Sequence, residues 1–343
     1  IIESTPFLDI SSYYYLSHKT VRNFLQKASR NLSFEESLIL LSEAVEYNEL
    51  PTRHGEELIN HEMSLQMRYS IHNIKHKQFE DFKNLPIWDP HIKTFLLLQA
   101  YFTRIELPIA DYAQDTVTVL DQALRILQAY IDISSEMGHL NAVLALIRLM
   151  HSVKQGCWFD DNEIGILPGM EQLLSSADGG RDKRAKEMTI EQIGNMGRKH
   201  LENCLINDLK FEFKSDKDLE DFFRTASSLP TGSLSVLPQS SKEFLEVEIT
   251  HRHFAKRGKG DAFKSYCSKF PKFQKESWFF IICNESIGEL YLIKRCQPQR
   301  HKEGSKIYGK FDIPEEMFGS ELDIMCVNDG LNIRYKTRHL FIS

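Results

Sequence analysis

Several stretches of this 343-residue sequence carry side chains that could do chemistry. "KRGKGDAFKS" brings glycines and lysines together, as a phosphate-cradling loop does. Its spacing is not Gly-x-x-x-x-Gly-Lys-[Ser/Thr], and it lies between strand-like segments instead of opening a helix. "DDNE" at 160–163 offers carboxylates for a divalent cation, but no loop exists to present a nucleotide to them. His72 and His76 stand four apart, a spacing that zinc sites use on a helix face. No third ligand is evident, so a solvated polar helix is expected there. "HRH" places His251 and His253 on one face of a strand, most simply an exposed one. Neither Gly-x-Ser-x-Gly nor His-Glu-x-x-His occurs, and nothing assembles a nucleophile, a base and an orienting group. The expectation is no catalytic residue, no metal and no enzyme activity in the fragment itself.

Two features could carry binding instead. In a long helical segment, 115–137, Val119, Ala123, Ile126, Leu127, Tyr130 and Ile133 share one broad apolar face. Asp121, Gln122, Arg125 and Gln128 fall off it, with Arg125 one turn from Asp121 and able to pair with it. Spacing alone favours a bundle helix with a solvated flank. The second feature is 251–275, where Arg252, Lys256, Arg257, Lys259, Lys264, Lys269, Lys272 and Lys275 face a single acid, Asp261. Phe254, Phe263, Tyr266, Phe270 and Phe273 are interleaved among them. That mixture suits phosphate contact plus base stacking. A solvated loop between strands, anchored by a few aromatics, fits it at least as well.

The elements that position these residues divide the chain once. From about 17 to 158 the apolar period is helical. Ser33 and Glu36 have capping-box spacing, and Asp89-Pro90 reads as an N-cap followed by the first helical residue. Gly138 and Gly156 close the two longest helices, the second being apolar around most of its circumference. Shorter helices follow in "GMEQLLSS", "TIEQIGNMGRKHLENCL" and "DKDLEDFFRTASSLP", with "ADGGRDKRAKE" as an exposed loop. After Pro230 the period becomes two. About seven short strands result, the number expected of an immunoglobulin-like or fibronectin type III sandwich. The expected fold is α+β and multidomain: an all-α helical bundle, a helix–loop–helix unit, then an all-β sandwich. No βαβ alternation points to a nucleotide-binding sheet.

Composition adds bounds. The formal charge of -6 gives no global reason to expect a polyanion partner, although a local patch could still bind one. Cysteines at 157, 204, 267, 283, 296 and 326 form no Cys-x-x-Cys pair and suit reduced, mostly buried thiols of the cytosol or nucleus. No apolar run approaches the ~20 residues of a membrane span. The opening "IIESTPFLDI" lacks a starting Met and a basic n-region, and reads as the edge of a longer chain instead of a signal peptide.

"SYYYLSHKTVRNFL", "LLSEAVEYNELPTRH", "HIKTFLLLQAYFTR", "DTVTVLDQALRILQA" and "FPKFQKESWFFIICNESIGELYLIKR" together resemble the Sec sixty-three homology unit of Ski-two-like RNA helicases with tandem cassettes. The likeness runs from about residue 11 to the end. It is strongest to the group holding the helicase subunit of the activating signal cointegrator complex and its counterpart that triggers ribosome quality control. The late stretch resembles the unit of the second cassette more than that of the first.

The resemblance implies a three-part division: 1–167 as helical bundle, 168–230 as helix–loop–helix unit, and 231–343 as fibronectin type III-like sandwich. In that family the bundle packs on two RecA-like domains and closes a ring around single-stranded nucleic acid, with one ratchet helix lining the channel. Residues 116–137 match that helix. Arg125 and Gln128, with Gln122 beside them, become candidate RNA contacts, Gln128 standing where the spliceosomal relative carries Arg. "SSYYYLSHKT" matches the first turn of the bundle, with Ser17 as N-cap and the tyrosines expected to pack on other domains in preference to stacking bases.

The function implied is a non-catalytic regulatory and RNA-guiding module of an ATP-dependent RNA helicase acting on stalled ribosomes. It would bind no cofactor itself, since ATP and Mg would sit in parent domains outside it. Implied partners are single-stranded RNA, the RecA-like and winged-helix domains of the same chain, and the ribosome with other quality-control subunits. No membrane partner is implied, and the location would be cytoplasmic and also nuclear. The alternative is a protein- or ribosomal-RNA-docking scaffold with no part in strand movement. An independent hydrolase with a hidden metal is the weakest reading.

Overall fold

The computed structural model describes residues 5–171, 188–208, 211–237, 244–251, 264–301 and 304–341. It is a mixed structure, helices first and two antiparallel sheets after them. The chain forms two compact units. One comprises 1–159 with 269–271 and 285–290, and the other the remainder.

In the first unit the helices are α1 (Pro6–Tyr13), α2 (His18–Lys27), α3 (Phe34–Ser42), α4 (Glu56–Ser64), α5 (Glu80–Lys83), α6 (Pro90–Thr103), α7 (Ala110–Glu136) and α8 (Leu140–Gln155). Their ends follow from local chemistry. Ser17 Oγ accepts from the Lys19 amide at 3.2 Å and starts α2. Ser33 and Glu36 form a reciprocal capping box on α3, at 3.1 and 2.8 Å. Asp89 accepts from the His91 amide at 2.8 Å, ahead of Pro90 at the first turn of α6. Gly156, at φ 60°, closes α8, and Gly138, at φ 70°, turns the chain between α7 and α8.

Three expectations are corrected here. Helix begins at Pro6, well before 17, because the proline opens α1. The long helix starts at Ala110, so Asp115 is a buried interior residue and not a terminal one. His72 and His76 share no helix: His72 lies in a single turn, Ile71–Asn73, and His76 precedes another, Lys77–Phe79.

The predicted core face of α7 is buried at Val119, Ala123, Ile126, Leu127, Tyr130 and Ile133. Phe24 of α2 stacks on Tyr130 at 4.0 Å between centroids. Tyr130 donates to the Leu40 carbonyl and Tyr47 to the Val119 carbonyl, both at 3.2 Å. Burial holds both phenols above their usual pKa. Each ring therefore adds apolar area and one satisfied buried hydroxyl.

The second unit contains α9 (Ile190–Asn195), α10 (Arg198–Glu202) and α11 (Asp216–Ala226). The run "TIEQIGNMGRKHLENCL" is thus broken at Met196-Gly197. Most of "GMEQLLSS" and all of "ADGGRDKRAKE" lie outside the described residues. The strands are β1 (Gly232–Val236), β2 (Phe244–His251), β3 (Trp278–Asn284), β4 (Glu289–Cys296), β5 (Gln299–His301), β6 (Gly304–Asp312), β7 (Glu321–Asn328) and β8 (Arg334–Leu340). The sheet orders are β1-β2-β6-β5 and β4-β3-β7-β8. Only β5, three residues long, carries no sequence pattern of its own. Trp278 is wholly buried and stacks on Tyr335 at 5.7 Å. A Cβ on Gly309 of β6 would stand 3.1 Å from the Phe280 ring of β3, so the two sheets meet closely there. The Tyr335 hydroxyl accepts from the Gly232 amide at 3.0 Å and ties β8 to β1.

Candidate nucleic-acid interface

The flank of α7 opposite its core face is a row of side chains that escape burial. Gln114, Thr118, Asp121, Arg125, Gln128 and Asp132 follow one another at helical spacing, with Gln122 alongside. Arg125, Gln122 and Gln128 are half-buried, the expected position off the apolar face. The row holds one cation against two acids. It suits positional hydrogen bonding better than release of counterions from a phosphate backbone.

Arg125 does something specific on that row. Its Nη1 donates to the Tyr14 and Tyr15 carbonyls at 2.8 and 2.7 Å, and its Nη2 donates to Gln122 Oε1. Two turns along α7, Asp132 accepts from the Tyr14 hydroxyl at 2.7 Å. The C-terminal end of α1 is therefore fastened to the polar flank of α7 at two points. Tyr14 is the anchored ring; Tyr13 and Tyr15 are 76% and 86% exposed.

The N-terminal part of α7 is fixed by charge. Lys93 Nζ, fully buried on α6, donates to Glu56 Oε2 at 2.7 Å, Asp115 Oδ2 at 2.8 Å and the Pro51 carbonyl at 2.6 Å. It also stands 4.6 Å from the Tyr112 ring centroid. Arg53 donates to Glu56 at 2.8 Å and to both oxygens of Asp115 at 2.7 and 3.2 Å. Burial pushes both carboxyls up. The hydrogen bonds and charges of Lys93 and Arg53 outweigh it and hold Glu56 and Asp115 below their ordinary values. Two cations balance two buried carboxylates, an arrangement that fixes geometry and leaves no group to do acid–base work.

In the basic stretch, Arg252, Lys256, Arg257 and Lys259 lie outside the described residues. Lys264, Lys269 and Lys272 are exposed, as is Lys275, which faces Lys264 across an antiparallel bridge. Phe273 is exposed and Phe270 is buried. Among the described residues no group of three or more His, Cys, Asp or Glu could hold a metal, and no helix is long and apolar enough to cross a membrane. None of the six cysteines is in a disulfide, and Cys283, Cys296 and Cys326 are buried.

Sequence reasoning missed the clamp on Tyr14 and Tyr15, whose partner lies 110 residues away. It also missed the charge cluster. A lone lysine inside the apolar run "HIKTFLLLQAYF" was the available signal.

The Sec63 Brl domain profile matches residues 4–337. The whole chain aligns with 18% of the RQC trigger complex helicase SLH1 of Saccharomyces cerevisiae, at 44% identity over 353 residues. Against the DExH-box ATP-dependent RNA helicase DExH14 of Arabidopsis thaliana, 295 residues are 33% identical, covering 86% of this chain and 13% of that one. Against human Activating signal cointegrator 1 complex subunit 3, 339 residues are 30% identical, covering 86% and 15%. The chain spans about a sixth of the length of these relatives. With its profile matched over nearly the full sequence and a relative aligned across all of it, the chain belongs to the Sec63 Brl domain family.

Proposed function

We propose that this chain is a non-catalytic, RNA-guiding module of an ATP-dependent RNA helicase that acts in ribosome quality control. One observation carries the reading. The polar flank of α7, exposed at Gln114, Thr118 and Asp121 and half-buried from Gln122 to Asp132, is held in place by the Lys93 cluster toward one end and by the α1 attachment toward the other. A helix fixed in this way can present Gln122 and Gln128 to a passing strand while motor domains move it, with Arg125 between them holding the end of α1 against the same flank. The names of the relatives, an RQC trigger complex helicase and a DExH-box ATP-dependent RNA helicase, support the activity. ATP and Mg then belong to RecA-like domains of the parent protein. Those domains, a winged helix, single-stranded RNA, the ribosome and other quality-control subunits are the partners, in the cytoplasm and also the nucleus.

The same reading divides the chain into bundle (1–167), helix–loop–helix unit (168–230) and fibronectin type III- or immunoglobulin-like sandwich (231–343). The order β1-β2-β6-β5 supports the last: with β3 and β4 lettered C and C′ and β5 to β8 lettered D to G, it reads A-B-E-D, one sheet of such sandwiches.

A second reading, a scaffold that docks protein or ribosomal RNA, is favoured by the exposure of Lys264, Lys272, Phe273 and Lys275, and separately of Lys269. Photocrosslinking of thiouridine-substituted RNA to the full-length protein separates the two. Adducts on 114–132 support guidance by α7, and adducts confined to 264–275 support docking.

A further inference from the structure

We propose that Tyr15, with Tyr13 beside it, is a nucleobase-stacking platform on the α7 flank, and that Arg125 is the positioning residue that holds it. The proposal rests on the reading of α7 as strand-facing and adds a contact that the helix itself does not supply. Tyr15 has φ 51°, a left-handed backbone that a tyrosine adopts only when its surroundings impose it. They do so here. The Tyr15 amide donates to the Ser12 carbonyl at 3.2 Å, and the Leu16 amide to the Ser11 carbonyl at 2.9 Å. Ser11 Oγ returns a bond to the Leu16 carbonyl at 2.9 Å. Arg125 then takes the outward carbonyls of Tyr14 and Tyr15. With Tyr14 tied to Asp132 and Leu16 buried, the turn sends two of its three tyrosine rings into solvent.

The surroundings favour nucleic acid over a protein surface. His18, Lys19 and Arg22 are exposed just beyond the turn, in and after the first turn of α2, while Gln122 and Arg125 lie on its α7 side. Protein interface cores are depleted of charge around their aromatic anchors. Exposed rings beside exposed Lys19 and Arg22, with Glu46 and Asp132 turned to Ser17, Thr20 and Tyr14, suit base stacking with phosphate contact, and stacking tolerates any base. Because Nη1 of Arg125 is committed to two carbonyls, its contribution to the strand runs through the turn it holds.

The test is RNA affinity of the full-length protein, read by anisotropy with a short fluorescent oligouridylate. Tyr15→Gly removes the ring and suits φ 51°, so misfolding cannot mimic its effect. It is expected to weaken binding about tenfold, while Tyr15→Phe retains affinity. Arg125→Ala should match Tyr15→Gly, and Arg125→Ala/Tyr15→Gly should be no worse than either alone. Losses that add in the double variant would overturn the positioning role and make Arg125 a direct contact. Wild-type affinity in Tyr15→Gly overturns the platform. If Gln122→Ala/Gln128→Ala then still weakens binding, the reading of α7 survives; if it too binds as wild type, both fall.

Discussion

Lys93 on α6 and Asp115 on α7 meet at 2.8 Å with the ammonium fully buried, so the two helices are joined through a charge pair inside the bundle. Glu56 and Arg53 join them, and Arg53 also reaches the exposed Asp111 at 3.3 Å. Removing one member strands the others. Lys93→Met leaves two buried carboxylates with the partly exposed Arg53 alone, and is expected to destabilise the protein by about 3–5 kcal/mol. Urea unfolding of wild type and variant checks this, and a loss below about 1 kcal/mol would show the cluster to be dispensable.

The same cluster sets a response to acid. Glu56 and Asp115 titrate below their ordinary range when folded: burial opposes this, and the bonds from Lys93 and Arg53 prevail. Their charged forms therefore add stability that is complete above the unfolded carboxylate pKa of about 4 and is lost as pH falls through the lower folded values. Unfolding free energy measured down to pH 3 should fall more steeply in wild type than in Glu56→Gln. Equal slopes would mean that these carboxyls are not linked to folding.

Gly194 in α9 offers a test in the second unit. Alanine within a helix ordinarily gains about 1 kcal/mol over glycine. Here the added Cβ would stand 2.4 Å from Thr231 Cγ2, on a buried β-branched side chain. Gly194→Ala is expected to destabilise by about 1–3 kcal/mol, the opposite sign. A higher melting temperature in the variant would contradict the contact.

Much of this was legible because it is local. Ser17, Ser33 and Asp89 cap helices through amides two or three residues ahead, and the seven longer strands announce themselves by alternation or, as in β3 and β7, by a short apolar run. The flank of α7 was visible too, since Gln122, Arg125 and Gln128 fall off the apolar face by spacing alone. What stayed hidden is non-local. Arg125 reads as a solvated cation one turn from Asp121, and nothing nearby in sequence tells that it reaches back to Tyr14 and Tyr15. His72 and His76 mislead for the opposite reason: their spacing is helical, but the short turn that holds His72 ends at Asn73 and His76 only precedes the next one.

The aromatic contact behind α7 should matter as much as the charges. Phe24 is fully buried and stacked on Tyr130, so Phe24→Ala opens a cavity and removes a ring pair. A loss of about 3–5 kcal/mol is expected in denaturant titration. A loss under about 1 kcal/mol would mean that α2 settles onto α7 without it.

Guidance of RNA by α7 is tested most directly by ATP-driven strand separation with the full-length protein, comparing wild type with Gln122→Ala/Gln128→Ala. The expected result is slower unwinding with unchanged melting temperature and unchanged ATP turnover in the absence of RNA. Unwinding at the wild-type rate would contradict a strand path along this helix.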